Sequence, residues 1–149
     1  MPRYVHYIFE YRQEIADLAL SFLSLTLGGA IYIGFRSTDL VLYRFLNKLG
    51  LKQALIDFRI ICSSIDLPEW VRYSLPDGLW LAAYLLVMNL IWRNHHSYLY
   101  YYLIYLMPAL AILTEIGQYI GYCPGTFDSV DLICYIIPLI ILIPLKHEV

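Results

Sequence analysis

An all-α integral membrane protein is the fold class this sequence predicts, with about four transmembrane helices and an interfacial amphipathic helix between the first and second. Two observations carry that expectation. The chain is 60% hydrophobic and only 15% charged, whereas a soluble domain carries about 25% charged residues. Its polar groups are too few to coat a particle in water. The apolar residues also gather into runs near the roughly 20 residues that cross a bilayer as helix. One transmembrane domain, residues 1–149, is expected.

The first apolar run, about 15–35, follows an aromatic and charged opening of Tyr4, Tyr7, Phe9 and Tyr11 with Arg3, Glu10, Arg12 and Glu14. Rings beside charges suit the headgroup layer. The run is long enough to span, so it reads as a retained helix and not a cleaved signal. Asp17 stands near its start, where a helix's first turn favours a carboxylate. Ser24 and Gly28, four apart, mark a close helix contact.

Residues 36–72 form the one long connection. Over 38–55, Leu42, Phe45, Leu46 and Leu49 recur at helical spacing, with Arg44, Asn47, Lys48 and Lys52 on other faces. That is the pattern of an amphipathic helix lying in the interface, or of a short helix packed over the bundle end. The stretch from Asp66 to Trp70 reads as a turn back to the membrane.

The second span, about 75–92, opens on Ser74-Leu75-Pro76-Asp77, which resembles a capping box with Pro in the first turn. A tight polar loop, Arg93 to Ser97, leads to the third span, about 98–122. Tyr98, Tyr100, Tyr101, Tyr102 and Tyr105 at its start suit an aromatic belt. Pro108 falls mid-span, where it removes a backbone donor. Cys123 to Phe127 is a turn. The fourth span, about 128–145, contains Pro138 and Pro144. Of three cysteines, Cys62, Cys123 and Cys134, none shows CxxC spacing, and Cys134 reads as a buried apolar thiol.

Alternation of four helices then decides which residues share an end. Asp77 starts the second span, Glu115 and Gln118 end the third, and Asp128 and Asp131 start the fourth. All five fall on the side opposite the N-terminus. Each pair three apart shares a helix face. Capping accounts for Asp77, Asp128 and Asp131 one by one, with Asp131 as the N3 partner of an Asp128 N-cap. It gives no account of Glu115, two turns inside an apolar helix. Ionisable groups in hydrocarbon need a partner or a purpose, and Arg36, Arg72 or a cation are the available partners.

The inventory on that side limits the chemistry. His6, His95, His96 and His147 all fall on the other side, which leaves no Ser-His or Cys-His pair and no His-rich zinc site. Clustered carboxylates with Gln118 and Thr126 fit a hard divalent cation such as Mg²⁺ or Ca²⁺, or the hydroxyls of a lipid or sugar headgroup. They also fit a general acid/base pair. The expected catalytic residues are Glu115, Asp131 and Asp77; the expected ligand-binding residues are Gln118, Asp128, Thr126, Arg72 and Arg36. A net charge of -2 offers no basic face to nucleic acid. Membrane lipids, a membrane-protein partner or a second copy are the partners that fit.

Pro76-Asp77, Glu115-Ile-Gly-Gln118 and Asp128-Ser-Val-Asp131 together resemble the VanZ-like family of small bacterial membrane proteins, over residues 74–137. The chain departs from the family pattern at Gly78 and Tyr84, where Lys and His are usual. It departs again at Pro124 to Phe127, where an Arg commonly precedes the last acidic pair. Arg36 and Arg72 are the expected substitutes. The resemblance implies a cell-envelope setting in the inner (cytoplasmic) membrane of a bacterium, a link to resistance against the glycopeptide teicoplanin, and a shared acidic site facing outward. The simple count of basic residues, six on the acidic side against four, points that side to the cytoplasm instead.

The reading that follows is a membrane-embedded module, binding or catalytic, that handles a lipid-linked or glycan-like ligand of the cell envelope. The alternative is a structural or accessory subunit of a membrane complex, with no catalytic activity.

Overall fold

A computed structural model describes residues 3–93 and 97–143, the first eight of them by backbone only. Among the described residues the chain is all-helical, in seven helices: α1 (Arg3–Phe35), α2 (Val41–Lys48), α3 (Lys52–Ser63), α4 (Glu69–Tyr73), α5 (Leu75–Ile91), α6 (Tyr98–Tyr119) and α7 (Ser129–Leu142). The side chain of His6, together with His95, His96, Pro144 and His147, lies outside the described residues.

Helix α5 is the central element, packed against α1 on one side and α7 on another, with α6 closing against both α5 and α7. Small residues set the two main crossings. A Cβ added at Gly28 would stand 2.8 Å from Trp80 Nε1 and 3.1 Å from the Pro76 carbonyl, so α1 and α5 approach at that glycine. A Cβ at Gly78 would stand 2.8 Å from the Cys134 carbonyl oxygen, which fixes the spacing of α5 and α7. That carbonyl is the one Pro138 leaves without an i+4 amide donor. A glycine therefore backs onto the gap in the neighbouring helix's ladder.

Two of the helices are long and apolar enough to cross a membrane, Tyr11–Phe35 and Tyr98–Tyr119. At 1.5 Å per residue they reach about 37 and 33 Å, against roughly 30 Å of hydrocarbon. The most apolar window of each is only 22% buried, unlike the core helix of a soluble protein. Helices α5 and α7, with 17 and 14 residues, are shorter than the spans of 75–92 and 128–145 expected for them. Polarity is partly inverted across the bundle. Phe22, Leu23, Leu113, Ile140 and Ile141 face outward, while Ser21, Ser74 and Glu115 are buried.

Several boundaries differ from the sequence reading, each for a local reason. Helix α1 starts at Arg3, so Asp17 lies four turns in and not in a first turn. It is held by Arg93 at 3.2 Å, with Glu14 at 3.9 Å from the same guanidinium. The expected single helix over 38–55 is two. Gly50, at φ +81, follows the end of α2, and the Leu51 and Gly50 amides donate back to the Leu46 and Asn47 carbonyls. That is a Schellman termination, which needs a residue at ease with positive φ.

Helix α6 ends at Tyr119, not 122, by the same device. Gly121 has φ +78, and the Tyr122 and Gly121 amides donate to the Gly117 and Gln118 carbonyls. Ser74 does not cap α5. Its backbone is helical at φ -94 and ψ -42, its side chain makes no cap bond, and α4 runs into α5 through it. Tyr100 is core and not belt, packed with Leu81, Leu85 and Ile104. Cys62 is the buried thiol, against Gly34, whereas Cys134 is half-buried; all three cysteines are free.

Away from the acidic residues, α5 and α7 are tied by Asn89. Its amide donates to the Leu142 carbonyl at 2.8 Å, one of the orphan carbonyls of a helix end. Its oxygen accepts from the Tyr100 hydroxyl at 2.8 Å. Asn89→Leu removes both bonds, and we expect a loss of about 0.6–2 kcal/mol. Thermal unfolding in detergent by circular dichroism checks it; a melting temperature equal to wild type would show the network contributes nothing.

Candidate functional site

The acidic residues stand where two helix N-termini meet the end of a third. Asp77 lies in the first turn of α5, Asp128 is the N-cap of α7 and Asp131 lies in its first turn. Glu115 comes from the last turns of α6. The positive end of α7 favours negative charge here. The four carboxyls are close enough to act on one another electrostatically: Glu115 feels Asp131, Asp128 and Asp77, and Asp77 feels Asp131.

Each has a different environment. Arg36, from the end of α1, donates from Nη2 to Asp77 Oδ2 at 3.2 Å. The same guanidinium donates to the Arg72 carbonyl at 3.4 Å and to the Tyr73 carbonyl, and it stacks on the rings of Tyr32 and Tyr73. Asp128 Oδ1 accepts from the Val130 amide at 2.8 Å, an ordinary N-cap bond. The Asp128 amide is satisfied from outside its own helix, by Glu115 Oε2 at 3.3 Å. This is the bond that Asp131 would make in a capping box, so that expectation is corrected.

Glu115, although only 4% exposed, therefore caps a neighbouring helix, and the expectation that it caps nothing is also corrected. Asp131 is left over. Its Oδ1 is buried and has no hydrogen-bond partner among the described residues.

Of the remaining expected ligands, Gln118 serves the turn after α6. Its Nε2 donates to the Pro124 carbonyl at 3.5 Å, and its amide lies against Gly125, where a Cβ would come within 2.6 Å. Thr126 is exposed at that turn. Arg72 does not join the acidic group; it pairs with Asp66 at 2.5 Å, whose side chain is fully exposed. Arg36 alone of the two arginines neutralises the cluster. Among the described residues no group of three or more His, Cys, Asp or Glu is arranged to hold a metal ion. The signal that sequence reading missed for Glu115 is a tertiary one, an amide 13 residues further on.

No protein-family model, no curated protein and no solved structure matches this chain.

Proposed function

We propose that this is an integral membrane protein of four spans whose acidic end binds or processes a hydroxyl-rich ligand, lipid-linked or glycan-like, of the bacterial cell envelope. The observation that carries the ligand is the Asp131 carboxylate, whose Oδ1 is buried and has no hydrogen-bond partner among the described residues. A buried acceptor left unsatisfied is costly, and a hydroxyl donor would satisfy it. Asp77, held by Arg36, supplies a second carboxylate close to Asp131. The exposed apolar sides of α1, α6 and α7 support the bilayer, because large apolar patches in water are unfavourable. The short α5 and α7 fit within the hydrocarbon if they pack behind the two longer helices or if the bilayer thins locally. The VanZ-like motif pieces support the envelope setting and a link to glycopeptide resistance.

A second reading has its own observation. The bond from the Asp128 amide to Glu115 is structural, as it would be in an accessory subunit that uses polar groups only for packing. Asp131→Asn and Glu115→Gln separate the two. On the ligand reading, Asp131→Asn abolishes teicoplanin tolerance in cells expressing the protein and leaves its melting temperature unchanged. Glu115→Gln retains an acceptor oxygen and stays folded. On the packing reading, tolerance and stability fall together or neither falls. Retention of full tolerance by both variants would remove the ligand reading.

A further inference from the structure

A second group of cationic side chains gathers near the end of α1. A cleft of about 520 Å³ opens between the end of α1, helix α3 and α4. Two arginines line it, Arg59 and Arg72, and no carboxylate does. Arg59 is fixed in place. Its Nη1 donates to the Ile33 and Arg36 carbonyls, both at 2.7 Å, and its guanidinium faces the Tyr43 ring at 5.8 Å. A guanidinium carries five N–H donors, so Nε and Nη2 of Arg59 keep theirs. Arg72 spends Nη2 on the exposed Asp66, while its Nε is buried with no partner.

Of the rest of the lining, Phe35, Ile56 and Ile60 form an apolar wall, and Thr38 and Ser63 are polar. A positive end with fixed, unused N–H donors takes a phosphate or carboxylate by charge-assisted bonds. An adjoining apolar wall takes a chain. Both features occur together at the end of a helix long enough to span the hydrocarbon, beside α2, whose Phe45 and Leu49 are exposed. The headgroup layer would lie at this level.

We propose that the cleft binds the phosphate headgroup of an anionic membrane lipid, with Arg59 and Arg72 on the phosphate and the isoleucine wall along the acyl chain. This rests on the membrane reading and is independent of the acidic site. Arg72 is the residue to change, since among the described residues its side chain bonds only to an exposed carboxylate. The protein is placed in nanodiscs of phosphatidylcholine with one-fifth phosphatidylglycerol, and retained lipid is counted by native mass spectrometry.

Both lipids carry the phosphodiester, but the choline ammonium would stand beside two guanidiniums, so wild type is expected to retain phosphatidylglycerol at least about tenfold over phosphatidylcholine. Arg72→Gln is expected to lose that preference at an unchanged melting temperature. Arg44→Gln, on an exposed face of α2, keeps it. Equal retention of both lipids by wild type, or an equal loss in Arg72→Gln and Arg44→Gln, overturns the site. Displacement of the lipid by millimolar inorganic phosphate overturns the lipid in favour of a soluble phosphorylated ligand. Alkaline carbonate extraction of the same membranes reports on integration separately. A chain that resists extraction but shows no lipid preference removes the cleft and leaves the spans standing.

Discussion

Gly78→Ala is expected to cost about 1–3 kcal/mol of stability, the range for overfilling a packed interior, and Gly78→Val more. The added Cβ of alanine would stand 2.8 Å from the Cys134 carbonyl oxygen and 2.9 Å from Cys134 Cβ. The first of these is backbone, which cannot swing aside as the tip of a long side chain can. Relief requires α5 and α7 to separate, and α5 is the helix on which the other elements pack. The separation would also leave Leu85 and Ile104, both at 0% exposure, with looser neighbours. Gly29→Ala is the control, because a Cβ there meets nothing within 4 Å. Equal melting temperatures for Gly78→Ala and Gly29→Ala would show that the α5–α7 crossing is not set at this glycine.

Arg36→Gln is the second large expected effect. The guanidinium is one-fifth exposed and serves Asp77, two backbone carbonyls and two aromatic rings. Removing it leaves Asp77 near Asp131 with no cation, and an uncompensated carboxylate is worse than the loss of the pair itself. Because both partners keep some contact with solvent, the expected loss is about 1–3 kcal/mol, below that of a fully buried pair. The double variant Arg36→Gln/Asp77→Asn should recover part of it, since the orphaned charge is then gone. A double-mutant cycle by thermal unfolding in detergent reads the coupling directly. If the two single losses simply add, the ion pair contributes nothing of its own.

Much of the helical layout was legible because apolar run length and turn residues act locally. The runs at 15–35, 75–92, 98–122 and 128–145 each contain a helix, and the acidic residues at their ends do come to one place. The misplaced boundaries have a common cause. Gly50 and Gly121 each end a helix by taking positive φ, a signal present in the sequence but outweighed there by hydrophobic periodicity. Ser74 shows the opposite error. Its cap chemistry is right, but α4 feeds helical backbone straight into α5, so no free N-terminus exists to be capped.

The site was legible in composition and not in wiring. Charge balance singles out Arg36 and Arg72 equally, yet only Arg36 reaches the acidic residues. Which of two arginines faces a carboxylate depends on the turn between α3 and α4, and nothing local specifies that. Glu115 was the residue least explicable from its own helix. Its partner is the start of the next helix, so its role exists only after α6 and α7 have packed.

That bond also bears on the sequence of events by which the chain assembles. Among the polar ties of the bundle, two are short, 11 residues (Asn89 to Tyr100) and 13 (Glu115 to Asp128), and two are long, 41 (Arg36 to Asp77) and 76 (Asp17 to Arg93). Loop-closure entropy rises slowly with length, and closing 41 residues costs about 1 kcal/mol more than closing 13. The two short ties, which join α5 to α6 and α6 to α7, therefore close before the two that involve α1. Helices α5, α6 and α7 become a unit with Asp77, Asp128 and Asp131 already at one end, and α1 docks on it last, bringing Arg36 to Asp77.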